Sequence, residues 1–235
     1  MNNILVPVDF SFPSNHALQE AVKLARVFGA RLHVIHVYGA PERVDTKLSV
    51  NKLLKREADS QLKQVIHNLE KFSDLELFYK TVRVVDIDRT IQRIANQLHV
   101  DLIICGTQGK TSDQDLFLGS VAGALLKKMD TPMLLIPNGH QIEHLQKILF
   151  AVNSLEIADE KVLQPLKTFS HYFASDIDFV QIQSQEHMIS GDFKGQMIFD
   201  LNRTSATVGA TNIYEGIAQY LRDQQADILC VIRRK

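Results

Sequence analysis

The fold of this chain is decided by a short apolar run near its start, Ile4-Leu5-Val6-Pro7-Val8, which Asp9 ends. A nearly continuous apolar run of this length is typical of a strand buried on both faces, as strands of parallel sheets are. The next residues, Ser11-Phe12-Pro13-Ser14, supply a hydroxyl cap and a proline that a first helical turn tolerates. Apolar residues at helical spacing follow, and Gly29 ends the predicted helix.

The same alternation of strand and helix continues to residue 137. Further strands are predicted at 32–37, within 75–85, at 101–105 and at 133–136, with helices at 47–72, 86–98 and 120–128. Such alternation predicts a parallel sheet with right-handed helical crossovers. Open sheets of this kind bind ligands beyond the carboxyl ends of the strands, where the strand order reverses. The loops after Asp9 and Cys105 leave such ends, and they meet if strands one and four are neighbours.

The second half of the chain repeats the opening pattern. Residues 147–153, Lys-Ile-Leu-Phe-Ala-Val-Asn, echo residues 3–9, and residues 226–231 echo residues 100–105. The first echo lies 144 residues downstream and the second only 126, so 18 residues are missing between them. The loss falls where the first copy has its long helix. The second half is therefore interpreted as a shortened copy that stops at its fourth strand.

The loop after the fourth strand carries the chemistry of the first copy. Gly106-Thr107-Gln108-Gly109 is followed, after nine residues, by Gly119-Ser120. Glycines let backbone N–H groups approach an anion closely, and the unpaired N–H groups of a helix that begins at Ser120 favour negative charge. Lys110 adds a cation within reach of a terminal phosphate. A phosphate-binding loop and a plain turn with a helix cap use the same residue types, so spacing alone leaves both open.

Strand and loop together resemble one known family. Residues 4–11, Ile-Leu-Val-Pro-Val-Asp-Phe-Ser, are similar to the opening of universal stress proteins, and Gly106-x2-Gly109-x9-Gly119-Ser120 matches the ATP-binding motif of that family. The resemblance covers residues 1–137 well and 147–235 weakly. It implies an α/β fold of the adenine-nucleotide alpha-hydrolase-like type, with two tandem open parallel-sheet domains. The strand order implied is 3-2-1-4-5, with ATP between strands one and four.

The same resemblance implies a role for each residue of the site. Pro7 and Val37 would line the adenine pocket, and Asp9 would lie near the ribose or a phosphate-bound metal such as Mg²⁺. Ribose and phosphates would be held by residues of the loop and the helix behind it: Gly106, Gly109, Gly119, Ser120 and Val121. Simpler interpretations stay open, because Asp9 could also cap the first helix or accept turn N–H groups, and Val37 is a typical core residue.

The expected domains are 1–138, with the ATP-binding loop, and 147–235, a degenerate universal stress protein-like domain without it. In the second domain Asn153 replaces the aspartate and Ile232 stands where the first glycine would be, so ATP is not expected to bind there in the same way. Two similar domains are expected to pack as an internal pseudo-dimer. Residues 133–136 would form a sheet edge, and exposed edges invite pairing, so a homodimer through this strand is also expected.

Composition excludes several classes of protein. The chain has 235 residues, 45% of them hydrophobic, and a net charge of −1, so neither nucleic acid nor a membrane surface is an expected partner. No apolar stretch approaches the ~20 residues that span a bilayer, and the start of the chain does not have the pattern of a signal peptide. Cys105 and Cys230 lie in apolar runs and are expected to be buried free thiols. The expected location is the cytoplasm.

These patterns favour an ATP-binding regulatory or stress-response protein that acts on a partner the sequence does not identify. No catalytic residue is assigned, because no Walker A string and no general base close to the loop is found. Slow ATP hydrolysis stays open, since metal ions and fixed donors alone assist phosphoryl transfer. A nucleotide-independent dimerisation module is the alternative. An adenylating enzyme is less favoured, because Asp9-Phe10-Ser11-Phe12 is not a pyrophosphate loop.

Overall fold

The computed structural model describes residues 1–39, 48–69, 74–84, 86–109, 116–117, 120–152, 160–184 and 203–233. The chain divides into two compact units, Met1–Ile142 and Glu143–Lys235, and each has its own parallel sheet. Among the described helices, none combines the length and the apolar character that crossing a membrane requires.

The first unit alternates strands and helices as predicted. Its elements in chain order are β1 Asn3–Val8, α1 Phe12–Phe28, β2 Arg31–Gly39, α2 Leu48–His67, β3 Leu77–Val84, α3 Ile87–Gln97, β4 Leu102–Gly106, β5 Gln108–Gly109, β6 Leu116–Phe117, α4 Ser120–Lys128 and β7 Met133–Ile136. The strands β5 and β6 form a short antiparallel ribbon within the glycine loop. The sequence pattern does not predict this ribbon.

The five long strands form one parallel sheet in the order β3-β2-β1-β4-β7. This confirms the predicted order 3-2-1-4-5, with β7 as the fifth strand. The central pair, β1 and β4, is in register at Ile4 with Leu102 and at Leu5 with Ile103. The strand order therefore reverses at β1, and the loops that leave β1 and β4 lie side by side at the carboxyl edge.

Local chemistry begins and ends the helices where the sequence predicts. Ser11 caps α1 by accepting the N–H of Ser14, and Gly29 ends it in the left-handed conformation, with φ 63°. Asp86 caps α3 by accepting the N–H of Arg89 at 3.2 Å, which confirms its expected place at a helix N-terminus. These caps fix where α1 leaves β1 and where α3 leads into β4.

The two faces of the sheet are covered by different helices. One face packs on α3 and α4 through a buried cluster of apolar side chains: Leu5, Ile35, Ile91, Ile94, Ala95, Ile103, Cys105, Ala122, Leu125 and Met129. The helix α1 packs on β1 and β4 from the other face, and α2 packs on β3 and β2. Side chains alternate along a strand, so Leu5 and Cys105 identify which residues of β1 and β4 face α3 and α4.

The second unit has a four-stranded parallel sheet in the order β10-β9-β8-β11. Its elements are β8 Lys147–Val152, a 3₁₀ helix Glu160–Leu163, α5 Gln164–Phe173, β9 Asp176–Ser184, β10 Arg203–Ala210, α6 Ile213–Gln224 and β11 Ile228–Val231. Residues 40–76 separate β2 from β3, whereas only 185–202 separate β9 from β10. The connection between β9 and β10 is thus the shorter of the two, and β10 and α6 are not located by the sequence pattern.

Both cysteines are free, as expected. Cys105 is buried in the cluster beneath α3 and α4, whereas Cys230, on β11, is only half-buried and not fully buried as expected. Burial raises the pKa of both thiols to about 12. Neither thiol is therefore a reactive thiolate at neutral pH.

Candidate functional site

The turn after β1 is organised by the carboxylate of Asp9. Its Oδ1 accepts the N–H of Ser11 at 3.0 Å and the hydroxyl of Ser11 at 2.5 Å, while the Asp9 N–H donates to Ser14 Oγ at 3.3 Å. Partial burial by itself would raise the pKa of Asp9, but the hydrogen bonds from Ser11 and Ser14 outweigh it and lower the pKa below its usual value. Ser11 and not Asp9 caps α1, so Asp9 accepts an N–H group of the turn, and the turn presents an ionised, exposed carboxylate at the edge of the sheet.

Phe10 holds this turn in an uncommon backbone conformation. Its φ is 65°, which lies in the left-handed region that bulky residues rarely adopt. Its ring lies 4.1 Å from the ring of His36, and the Nδ1–H of His36 donates to the carbonyl of Val8 at 2.8 Å. His36 is therefore a strand-end histidine with a satisfied ring nitrogen. These contacts fix the Asp9 turn against the carboxyl end of β2.

Gly106 ends β4 in contact with the first turn of α1. A Cβ added to Gly106 would overlap the carbonyl oxygen of Pro13 and lie 2.6 Å from its carbonyl carbon. Only glycine therefore allows the end of β4 to approach α1 this closely. This packing requirement is independent of any ligand. The sequence motif names Gly106 but carries no signal for its contact with Pro13.

Thr107 follows Gly106 with a buried hydroxyl that lacks a hydrogen-bond partner. Its side chain is only 3% exposed and its N–H donates to the carbonyl of Ile136 at 3.1 Å, yet within the described ranges its Oγ1 is unsatisfied. The Oδ1 atom of Asn15, in the first turn of α1, is unsatisfied in the same way. Buried polar atoms without partners are costly, so these atoms indicate room for a polar ligand or an ordered water. Sequence reasoning missed both residues.

The apolar part of the site lies on the face covered by α3 and α4. Pro7 is in register with Ile35, and alternation along β1 puts it on the same face as Leu5. Val37 and Val121 pack against the buried cluster of that face, and both are half-buried. Val37 is thus a core residue as well as a candidate for the adenine pocket. These three residues form an apolar floor next to the turn of Asp9.

The glycine loop is described only in part. Lys110 and Gly119 lie outside the described residues, while Gly109 pairs with Leu116 in the ribbon of β5 and β6. Ser120 begins α4 directly behind the loop. The structure therefore brings Pro7, Val37, Gly106 and Val121 to one edge of the sheet, with the N-terminus of α4 at the same edge.

A metal ion at this edge would take most of its coordinating oxygens from phosphates and water, and few from the protein. In the parts of the chain with described coordinates, no three side chains of His, Cys, Asp or Glu come together. Asp9 alone offers one carboxylate, whereas Mg²⁺ prefers six oxygen ligands and commonly takes several from phosphates and water. The donor set fits a phosphate-bound Mg²⁺ and does not fit a protein-held metal centre.

A separate cavity of about 530 Å³ lies at the opposite, amino edge of the first sheet. Four of its polar side chains are already paired: His33 Nε2 lies 3.2 Å from Asn3 Oδ1, and Arg31 Nε lies 2.9 Å from Glu76 Oε2. The ring of His33 stacks on Phe78 at 5.2 Å, and burial lowers the pKa of this histidine, with a smaller effect from Arg31. Functional pockets present convergent polar groups to a ligand, so this cavity is less suited to a site than the carboxyl edge.

The first unit thus belongs to the class of open α/β sheets. At the carboxyl edge of its sheet, where the strand order reverses, β4 ends in a glycine and the N-terminus of α4 lies nearby. The family model described as "Universal stress protein family" matches residues 1–137. The chain therefore belongs to the universal stress protein family.

Similar proteins support this assignment. Universal stress protein MJ0531 of Methanocaldococcus jannaschii is 30% identical over 139 residues, which cover 57% of this chain and 80% of the relative. Universal stress protein MJ0577 of the same organism is 28% identical over 152 residues, covering 57% of this chain and 93% of the relative. A solved universal stress protein from Archaeoglobus fulgidus covers 98% of this chain and 86% of its own, with a TM-score of 0.75 at 15% identity, and so shows the fold alone.

Proposed function

We propose that the first unit binds ATP and that the chain acts as a nucleotide-dependent regulatory protein in a stress response. One observation carries the proposal. The strand β4, which ends in Gly106, lies beside the turn that holds the ionised carboxylate of Asp9, at the point where the strand order reverses. Gly106 packs on Pro13, and Asp9 lies at the carboxyl end of the neighbouring strand. The unsatisfied hydroxyl of Thr107 beside the glycine supports a polar ligand.

Each part of the nucleotide has a candidate partner. The half-buried Pro7 and Val37 would contact adenine, and Val37 would offer backbone atoms to its edge. Phosphates would lie against the N-terminus of α4, where unpaired N–H groups and the helix dipole favour negative charge. The phosphate-holding residues of the proposal are Gly106, Gly109, Lys110, Gly119, Ser120 and Val121.

Asp9 is the proposed metal anchor. A bound Mg²⁺ would neutralise part of the phosphate charge, and the lowered pKa of Asp9 keeps its carboxylate ionised for that role. The hydroxyl and amide of Ser11 both donate to Oδ1 of Asp9, and in the proposal Oδ2 would face the metal. No catalytic residue is proposed, and slow hydrolysis would rest on the metal and the loop donors.

Regulation would follow from differential binding. A ligand shifts a conformational equilibrium only by its difference in affinity for the two states. In the proposal, ATP favours one arrangement of the loop between Gly109 and Gly119, and a protein partner binds that arrangement. Such a role needs binding and release of ATP, but it does not need rapid turnover.

Calorimetric titration of the full chain with ATP in the presence of Mg²⁺ tests the proposal. The variants Gly109→Asp and Gly119→Asp each place a negative charge where phosphates would lie, and each is expected to abolish measurable binding. Gly209→Asp is the matched control, because Gly209 lies on β10 and no atom lies within 4 Å of a Cβ added there. Unchanged ATP binding by the loop variants would rule the loop out, and absence of binding by the native chain would favour a nucleotide-independent module.

The identity of the nucleotide is tested separately. Mass spectrometry of the material released from purified, denatured protein is expected to detect an adenine nucleotide. Titrations with ADP and AMP would then rank the number of phosphates the site requires. A turnover assay for AMP and pyrophosphate detects an adenylating activity, and strong activity there would replace the regulatory proposal.

We further propose that residues 147–235 are a shortened copy of the first domain and that two chains pair through β7. The shared strand order supports the first part, since β10-β9-β8-β11 matches the first four strands of the other sheet. For the second part, β7 is an edge strand with half-buried Met133, Leu134 and Leu135. Light scattering at tens of micromolar tests the dimer, and a single-chain mass would contradict it.

A further inference from the structure

The segment that follows β7 is tied to the helix α1. The Nε2–H of His16 donates to the carbonyl of His140 at 2.7 Å, and the N–H of Ile142 donates to Oε2 of Glu20 at 2.7 Å. His16 and Glu20 are four residues apart, so they lie on one face of the helix. We call residues 138–142 the strap. They lie just beyond the residues that the family model matches.

Glu20 is the buried side of this contact. It is only 2% exposed, and Ile142 is 7% exposed. The other oxygen of Glu20, Oε1, lies 2.8 Å from Nζ of Lys23. A buried carboxylate is tolerated when it is paired and hydrogen-bonded, and removal of a partner is costly. The strap therefore supplies a donor to a charge in the interior of the first unit.

The strap ends at Ile142. Residues 143–144 are exposed, and the hydroxyl of Ser175 then donates to the carbonyl of Leu145 within the second unit. The exposed connection between the two units is thus limited to 143–144. Release of the strap from α1 would extend it to 138–144.

The helix that holds the strap also begins at the candidate nucleotide site. In its first turn, Pro13 packs on Gly106, and Nδ2 of Asn15 donates to the carbonyl of Phe10 at 3.2 Å. His16, which binds the strap, is the next residue. The site and the strap therefore hold adjoining turns of one helix. An element of this kind couples two sites when it has two arrangements that both sites bias.

We propose that the strap and the nucleotide site are coupled through α1. With the strap closed on His16 and Glu20, the first turns of α1 are held where Pro13 meets the end of β4, and this arrangement binds ATP better. ATP in turn favours the closed strap, and its release favours the open one, with the longer connection 138–144. The inference rests on the proposed function and adds a regulation of the same site.

Hydrogen exchange of the full chain without nucleotide tests the strap itself. Glu20→Leu removes the acceptor, so the amide of Ile142 is expected to exchange at least about tenfold faster than in the native chain. Glu20→Gln keeps an acceptor at the same position and should restore most of the protection. Gln19→Ala is the matched control, because Gln19 is exposed on the same helix. Thermal unfolding checks that each variant is folded.

Calorimetric titration with ATP and Mg²⁺ tests the coupling. Ile142→Pro removes the N–H donor of the strap and leaves the sequence of α1 unchanged, so it opens the strap from the other side. This variant and Glu20→Leu are each expected to weaken ATP binding by about tenfold, whereas Glu20→Gln and Gln19→Ala should bind nearly as the native chain does. Because coupling is reciprocal, saturating ATP should slow exchange of the Ile142 amide in the native chain by the same factor.

The outcomes separate this inference from the proposed function. Equal ATP affinity of the native chain, Glu20→Leu and Ile142→Pro would overturn the coupling and leave ATP binding by the first unit standing. Equally fast exchange of the Ile142 amide in the native chain and in Glu20→Leu would overturn the strap. A native chain that does not bind ATP would overturn both the proposed function and the coupling.

Discussion

Asp101 in the first unit and Asp227 in the second occupy the same place, at the start of the fourth strand of each sheet. Asp101 Oδ2 accepts the N–H groups of Asn2 at 2.6 Å and Asn3 at 3.0 Å. Asp227 Oδ2 accepts those of Gln146 at 2.8 Å and Lys147 at 2.9 Å. The echo between residues 100–105 and 226–231 therefore reflects one hydrogen-bonding device that joins strands one and four at the amino edge.

The carboxyl edges of the two sheets differ. In the first unit β4 ends in Gly106 against Pro13, whereas in the second β11 leads to Ile232, which is 37% exposed. The amino edge sets the strand pairing that both sheets need, and the carboxyl edge carries the groups that would meet a ligand. The pairing of the strands in each sheet is therefore separate from the residues proposed to bind a ligand.

Near the amino edge each sheet also has a polar pair, and the two pairs differ in chemistry. In the first unit His33 Nε2 meets Asn3 Oδ1 at 3.2 Å, and in the second Lys147 Nζ meets Asp178 Oδ2 at 3.8 Å. His33 and Asp178 are equivalent, because one is in register with Leu5 on β1 and the other with Leu149 on β8. The first sheet thus has a neutral pair where the second has an ion pair.

The largest effect is expected for Gly106→Ala. The added Cβ would overlap the Pro13 carbonyl, and this backbone atom cannot move without displacing α1. Overpacking of this kind costs about 3 kcal/mol of the free energy of unfolding. Urea unfolding, with hydrogen exchange to assign the loss to the first unit, measures it. Gly39→Ala, where no atom lies within 4 Å of the added Cβ, should cost far less, and equal losses would refute the packing role of Gly106.

A smaller loss, confined to the second unit, is expected for Gly216→Ala. The added Cβ would lie 2.7 Å from Ile182 Cγ2 and 2.9 Å from Ala210 Cβ, and these methyl groups can shift in part. We expect a cost of about 2 kcal/mol, seen as lower exchange protection in β9 and β10. Thr90 holds the equivalent position on α3, four residues after the helix cap, so the first unit tolerates a side chain there. Loss of protection in the first unit would contradict this comparison.

The two carboxylate devices give a matched pair of variants. Asp101→Ala and Asp227→Ala each remove the acceptor of two backbone N–H groups that lie near solvent, so each is expected to cost about 1 kcal/mol. The double variant should show the sum of the two losses, because the sites lie in different units. Chemical unfolding of the four proteins measures this, and strong non-additivity would show that the devices are not independent.

The sequence predicts most of the first unit because its elements carry local signals. Gly29 and Asp86 are caps whose chemistry is readable from residue type, and β1 is a plain apolar run. The strand β10 has no such signal, since it reads Arg-Thr-Ser-Ala-Thr-Val-Gly-Ala. It is a strand because all eight of its residues pair with β9, which is a tertiary effect.

The candidate site divides in the same way. The proposed roles of Pro7 and Val37 come from a family resemblance, and their place on one sheet face follows from alternation along strands. The contact of Gly106 with Pro13 joins residues far apart in sequence, and the unsatisfied oxygen of Thr107 is a result of how distant residues pack around it. No spacing rule relates such residues, so only the packed structure reveals them.

The smallest expected effect is the pH dependence contributed by Asp9. Partial burial alone would raise the folded-state pKa of Asp9, but the hydrogen bonds from Ser11 and Ser14 outweigh it and lower that pKa. The contribution of Asp9 to stability is therefore complete well above the unfolded carboxyl pKa of about 3.9. That contribution is lost as the pH falls below this value and through the lower folded pKa. The stability gap of Asp9→Asn, which is the difference between its urea midpoint and that of the native chain, should therefore become smaller as the pH falls from neutral to strongly acidic. Asn153 holds the corresponding sequence position, so Asn153→Ala should give a gap that does not vary over the same range. A gap for Asp9→Asn that stays constant or widens on acidification would show that the carboxylate is not held by its serine partners.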